Sequence, residues 1–90
     1  MRHELKTDPE MFNAVFDGVK TFEIRKDDRN FQVGDILDLN CTVYTGEEMK
    51  SGKPLEYTGE HLTVIVTHIL RGPVYGLADG WAILSIRPED

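Results

Sequence analysis

Gly18-Val19-Lys20-Thr21-Phe22-Glu23-Ile24-Arg25 sets a short strand directly behind a helix stop. Within it Phe22 and Ile24 alternate with Thr21, Glu23 and Arg25. As a strand the segment is therefore expected to bury its two apolar residues and to show a hydroxyl, a carboxylate and a guanidinium on the other face. Gly18 fits the left-handed position that closes a helix, which puts Lys20 at the mouth of the strand beside Glu23 and Arg25. The product is a polar cluster of mixed charge, with the rest of the chain as its scaffold.

Upstream, His3 to Lys6 is a short strand anchored by Leu5. Thr7-Asp8-Pro9-Glu10 fits a helix start in two ways: Thr7 with Glu10 as a capping box, or Asp8 as the cap with Pro9 at the first helical position. The spacing of Met11, Phe12, Val15 and Phe16 predicts a helix from about 8 to 17 with one apolar face, ended by Asp17-Gly18. Downstream, Lys26 to Asn30 is a polar turn. Phe31-Gln32-Val33 resumes briefly before Gly34-Asp35, and two such tight connections imply that the flanking strands are sheet neighbours. Ile36 to Tyr44 is read as a half-buried strand with Leu37, Leu39, Cys41 and Val43 inward. Residues 45 to 59 are turn-rich and aperiodic, a long loop that is more often functional or mobile than structural. Glu60 to Leu70, with the β-branched run Thr63 to Thr67, is the clearest strand. Val74 to Ala78 is short, Asp79-Gly80 is a turn, and Trp81 to Ile86 is a final strand closed by Pro88. The sum is a mainly β chain with a short N-terminal helix (α+β). Its five or six strands are expected to form a small β-barrel, since closure removes exposed edges.

Ninety residues make one domain, 1–90, able to bury roughly 60 to 65% of the unfolded surface. With 40% hydrophobic and 29% charged residues, global disorder is not expected. The apolar runs are too short for a membrane span, and no export signal opens the chain. The single cysteine, Cys41, cannot form an internal disulfide, and a cytoplasmic location is the expectation. The net charge of −6 argues against broad attraction to nucleic acid. The charge is unevenly spread: residues 18–34 carry four basic and three acidic side chains, whereas residues 35–90 carry four and nine. A cation-lined pocket on an acidic body is the arrangement this allows.

Gly18, Lys20, Glu23 and Arg25 match the GxKxxExR signature of ASCH domains, which are related to the PUA domains of RNA-modifying proteins. At ordinary residue usage such a match arises by chance about once in a thousand chains of this length, so the resemblance carries weight. Its context fits as well, with a helix before the motif and a strand entered through Val33-Gly34-Asp35 after it. The likeness covers essentially the whole chain and is similar to a small ASCH-like subfamily of unknown function found in bacteria and phages. It implies a PUA-like barrel with a cleft at the motif, and RNA or a nucleoside-like small molecule as the partner. Some ASCH members are amidohydrolases that cleave acylated cytidine with the motif lysine, a threonine and a separate glutamate. Lys20 matches the lysine, but Glu23 stands at the threonine position, and the later glutamate has only Glu60 or Asp79 as guesses.

The expected ligand-binding set is thus Gly18, Lys20, Thr21, Glu23 and Arg25, with Lys20 and Glu23 as the only catalytic candidates. Lys20 and Arg25 would meet phosphate or carbonyl oxygens, and Glu23 would accept from base amino groups or fix Arg25. The same triad also reads as an ion-pair network bracing an exposed barrel mouth. Tyr57 and Tyr75, both in loop contexts, are secondary candidates for stacking on a base. His3, His61 and His68 lack metal-ligand spacing, so no metal or cofactor is expected. Cys41 reads as core. A protein-interaction module with an acidic contact face is the third class.

Overall fold

The structure, a computed structural model, describes residues 1–89. Its elements run β1 (Arg2–Thr7), α1 (Pro9–Phe16), β2 (Phe22–Lys26), β3 (Ile36–Thr42), α2 (Gly46–Lys50), β4 (Tyr57–Arg71) and β5 (Trp81–Pro88). The strands form one sheet in the order β1-β3-β4-β5-β2. It is mainly β and curls into a five-stranded half-barrel with the short helix α1 near its start. Only the β1–β3 pair is parallel, with Leu5 opposite Leu39. The other three pairs are antiparallel.

The interior is filled along β3 and β4. Leu37, Leu39 and Cys41 from one parity of β3 meet Val64 and Val66 of β4, then Ala82, Leu84 and Ile86 of β5. Burying β-branched and branched side chains on a pleated surface is what favours these strands. A bulge between Val66 and His68 shifts the phase of β4, leaving Thr67 and His68 exposed and turning Ile69 back against the core. Phe31, which lies in a loop rather than a strand, is also fully buried, with the His3 ring edge-on to it at 4.8 Å.

Several sequence expectations change. β2 pairs with β5 and not with β3, so the connection after Arg25 joins strands three places apart in the sheet. The 31–33 stretch is no strand. β3 stops at Thr42, leaving Val43 exposed. In α1 only Phe12 and Val15 are buried, whereas Met11 and Phe16 face outward. Asp8 is its N-cap and Pro9 its first residue, but the Thr7–Glu10 capping box does not form because Thr7 belongs to β1. Asp8 Oδ1 instead accepts from Gly46 N–H at 3.0 Å. That bond seats α2, a helix inside the stretch read as a loop. Thr45 and Glu48 supply a complete capping box there.

Gly34, at φ +94°, makes the turn into β3 and donates to Val66 O. The next residue, Asp35, is buried and collects hydrogen bonds from His3 Nε2 at 2.8 Å, Gln32 N–H at 3.0 Å and the Met1 ammonium at 3.1 Å. Burial pushes its carboxyl up, but these donors outweigh burial and hold it below the ordinary aspartate range. Asp38, bound through both oxygens by Arg2, is likewise held low.

Candidate ligand site at the open seam

The curl of the sheet brings its two edge strands face to face without a backbone ladder between them. On β1 the Met1 carbonyl accepts from Ile36 N–H, so by alternation the backbone groups of Glu4 and Lys6 point away from β3 toward the seam. Across the gap, Thr21 O accepts from Ile86 N–H and Asp27 N–H donates to Gly80 O, which by the same alternation leaves Phe22 and Ile24 as the seam-facing residues of β2. Side chains bridge what the ladder does not. Arg25 Nη2 donates to Lys6 O at 2.9 Å and to Thr7 Oγ1 at 3.3 Å, and Arg29 Nη1 donates to Glu4 O at 2.8 Å.

The motif strand sits in the phase opposite to the one its alternation implied. Glu23 is buried at 3% exposure and Arg25 half-buried, while Phe22 and Ile24 are exposed at 42% and 50%. A buried carboxylate is costly unless its oxygens are satisfied, and here they are. Oε1 accepts from Arg25 Nε at 3.2 Å and Nη2 at 2.9 Å, and Oε2 accepts from Lys20 Nζ at 2.6 Å. Lys20 also donates to Phe22 O at 2.6 Å and lies 4.8 Å from the centre of the Phe22 ring. Gly18, at φ +77° after α1, turns the chain so that Lys20 can reach back in this way.

Above the triad opens a cleft of about 420 Å3, walled by Lys6, Thr7, Asp8 and Met11 on one side and by Lys20 and Phe22 to Arg25 on the other. The structure therefore brings Lys20, Glu23 and Arg25 together as the sequence implied, and of the two tasks expected of Glu23 its contacts match the second, fixing Arg25. With both oxygens engaged and almost no exposed surface, Glu23 holds Lys20 as well. Arg25 Nη1 and one Lys20 proton have no partner among the described residues, and both side chains line the cleft.

The other candidates divide. Gly18 and Thr21 lie behind the cleft, beside a small 80 Å3 cavity to which Lys20 also contributes. Tyr57 is the first residue of β4 rather than a loop residue, and lines a neighbouring cleft with Lys6. Tyr75, at 93% exposure and φ +47°, sits in the β4–β5 connection and borders none of these clefts. Glu60 lies with Tyr57, whereas Asp79 is in the β4–β5 turn. The three histidines do not converge, and no group of three metal-ligating side chains occurs among the described residues. No helix among them is long and apolar enough to cross a membrane. Sequence reading missed Lys6, Thr7 and Phe22 as site residues. The signal available for the first two was the His3–Leu5–Thr7 alternation, which makes β1 one residue longer and fixes which of its groups face outward.

Comparison with known proteins adds a family without an activity. The family model described as "Domain of unknown function (DUF3850)" matches residues 2–86, nearly the whole chain. No curated protein matches it.

Proposed function

The chain belongs to the DUF3850 family, whose description assigns no activity, and from the seam itself we propose that it binds RNA or a nucleoside-like ligand in the cleft over Lys20, Glu23 and Arg25. The observation that carries this reading is the saturation of Glu23: a buried carboxylate holding two cations leaves a cleft floor that offers hydrogen-bond donors, with Asp8 on the wall as the remaining carboxylate. Phosphate and carbonyl oxygens are the complementary groups. The exposed Phe22, Ile24 and Met11 add an apolar wall suited to the flat face of a base. Similarity of the motif to that of ASCH domains points the same way.

Amidohydrolysis by Lys20 is the weaker reading. An ammonium donating to both a carboxylate and a carbonyl has no lone pair to offer as a base, and Glu23, at the threonine position, is the group that keeps it so engaged. Melting curves with cytidine monophosphate, N4-acetylcytidine and short RNAs test the proposal. A stabilising shift with at least one of them, lost in Lys20→Ala, is expected. An equal shift in Lys20→Ala moves the site elsewhere, and release of free cytidine from the acetylated nucleoside restores the enzyme reading.

A further inference from the structure

Three clefts meet at one side chain. Lys6 lines the 420 Å3 cleft of the triad, a second of about 460 Å3 with Met49 and Lys50, and a third of about 540 Å3 with Arg29, Leu55 and Tyr57. The Lys6 side chain is exposed on β1, and its ammonium has no hydrogen-bond or ion-pair partner among the described residues. The three clefts thus adjoin around this one side chain, the third running from β1 past Asn40 of β3 to Tyr57 at the start of β4. An exposed aromatic stands in two of them, Phe22 in the triad cleft and Tyr57, at 52% exposure, in the 540 Å3 cleft.

Charge follows the groove. Its ionisable lining has five basic side chains (Lys6, Lys20, Arg25, Arg29 and Lys50) against four acidic ones, of which Glu23 is buried and paired. The chain as a whole is at −6, so the groove is locally positive on an acidic body. An anionic strand is drawn to it and discouraged elsewhere.

The seam backbone decides between the two kinds of strand that could lie there. An added peptide strand needs alternating donors and acceptors along the edge it joins. The carbonyls of Glu4, Lys6 and Phe22 already accept from Arg29, Arg25 and Lys20. Apart from Ile24, whose carbonyl has no partner among the described residues, the seam presents donors, which suit the oxygens of a phosphate-sugar strand better than the alternating groups of a peptide.

Resting on the reading of the seam as a nucleotide site, we propose that its ligand is single-stranded RNA of at least three nucleotides. One base lies on Phe22, a second on Tyr57, and Lys6 meets a phosphate between them. A lone nucleotide fills only the triad cleft. The groove is therefore the specificity device: it selects a strand over a free nucleotide by offering two stacking platforms instead of one.

Isothermal calorimetry with uridine monophosphate and the trinucleotide of uridine tests this on the full chain. The trinucleotide should bind at least about tenfold more tightly, and Tyr57→Ala should remove about tenfold of that gain, in keeping with loss of one stacked base. The same variant should leave the mononucleotide affinity unchanged, and Tyr57→Phe should bind as the parent does, which separates lost stacking from misfolding. Lys6→Gln should make the salt dependence shallower by about 0.7 in logarithmic slope, one phosphate contact. If both probes bind equally, or Tyr57→Ala is neutral while Lys20→Ala abolishes binding, the triad site stands and the groove proposal falls. If Lys20→Ala binds normally, the underlying site reading falls. A poly-glutamate peptide that competes as well as the trinucleotide overturns the choice of RNA, and binding by neither nucleotide probe overturns both readings.

Discussion

β3 and β2 carry the same pattern, apolar and polar residues in alternation, and the fold uses it in opposite phases. In β3 the apolar parity faces the interior, with Leu37 and Leu39 at zero exposure. In β2 the apolar parity faces out, and Glu23 takes the interior position. Alternation fixes a period of two; it does not fix which face is inside. For β3, sandwiched between β1 and β4, hydrophobic burial decides. β2 is an edge strand with one neighbour, and there three N–H donors converging on a carboxylate offset the desolvation of Glu23. A strand that breaks the local rule while both oxygens of its buried carboxylate are satisfied is the kind of exception expected at functional or strained sites.

The largest expected effect lies on the β3 side of this comparison. Leu39→Ala should cost about 2 to 5 kcal/mol in urea unfolding, because the side chain is fully enclosed and its loss leaves a cavity. A cost below about 1 kcal/mol would place the core elsewhere. Next comes Glu23→Gln on β2. It strips the counter-charge from Lys20 and Arg25, whose side chains are 13% and 22% exposed, so water relieves part of the penalty and about 2 kcal/mol is expected. Were the triad a brace at an exposed mouth, the loss would be no more than about 1 kcal/mol.

How much of this could be read in the residues follows from the same contrast. The interior strands were legible: the Leu37–Leu39–Cys41 parity, the β-branched run of β4 and the Asp79-Gly80 turn are local signals that tertiary structure left in place. So was the triad, whose members lie within six residues of one another. The phase of β2 was not legible, because it depends on Lys20 folding back and on Thr7 and Lys6, which are far off in sequence. Nor was the sheet order, since the short link after β2 spans the barrel mouth while Phe31 is drawn into the core. α2 was legible and went unread: Thr45-Gly46-Glu47-Glu48 is a capping box, but the five-residue helix behind it buries no residue and shows no periodicity.

A third effect, more gradual, belongs to acid. The carboxyls of Asp35 and Asp38 are both held below the ordinary range. The folded state therefore binds their protons less readily than the unfolded chain does. The stability they contribute is fully present above the unfolded-state value near pH 4 and is lost as pH falls through their lower folded-state values. Melting temperature should fall as pH drops below about 4, and Asp38→Asn should make that limb shallower. An unchanged limb in the variant would mean that Arg2 and Thr63 do not hold the carboxylate in solution.

The smallest expected effect is the most discriminating. If β2 had the phase of β3, Ile24 would be a core residue, and Ile24→Thr would put a hydroxyl in the interior at a cost well above 1 kcal/mol. In the structure Ile24 is half exposed beside the cleft, on a strand where threonine is as well accommodated as isoleucine. Its replacement should change stability by no more than about 0.5 kcal/mol. Urea unfolding of Ile24→Thr beside Leu39→Ala thus compares one apolar residue from each strand under one measurement. Two large costs would restore the conventional phase, expel Glu23 from the interior and leave Lys20 and Arg25 without the buried anchor on which the site depends. One large and one negligible cost leaves Glu23 where the structure has it, and keeps the apolar wall of the cleft free for a ligand to cover.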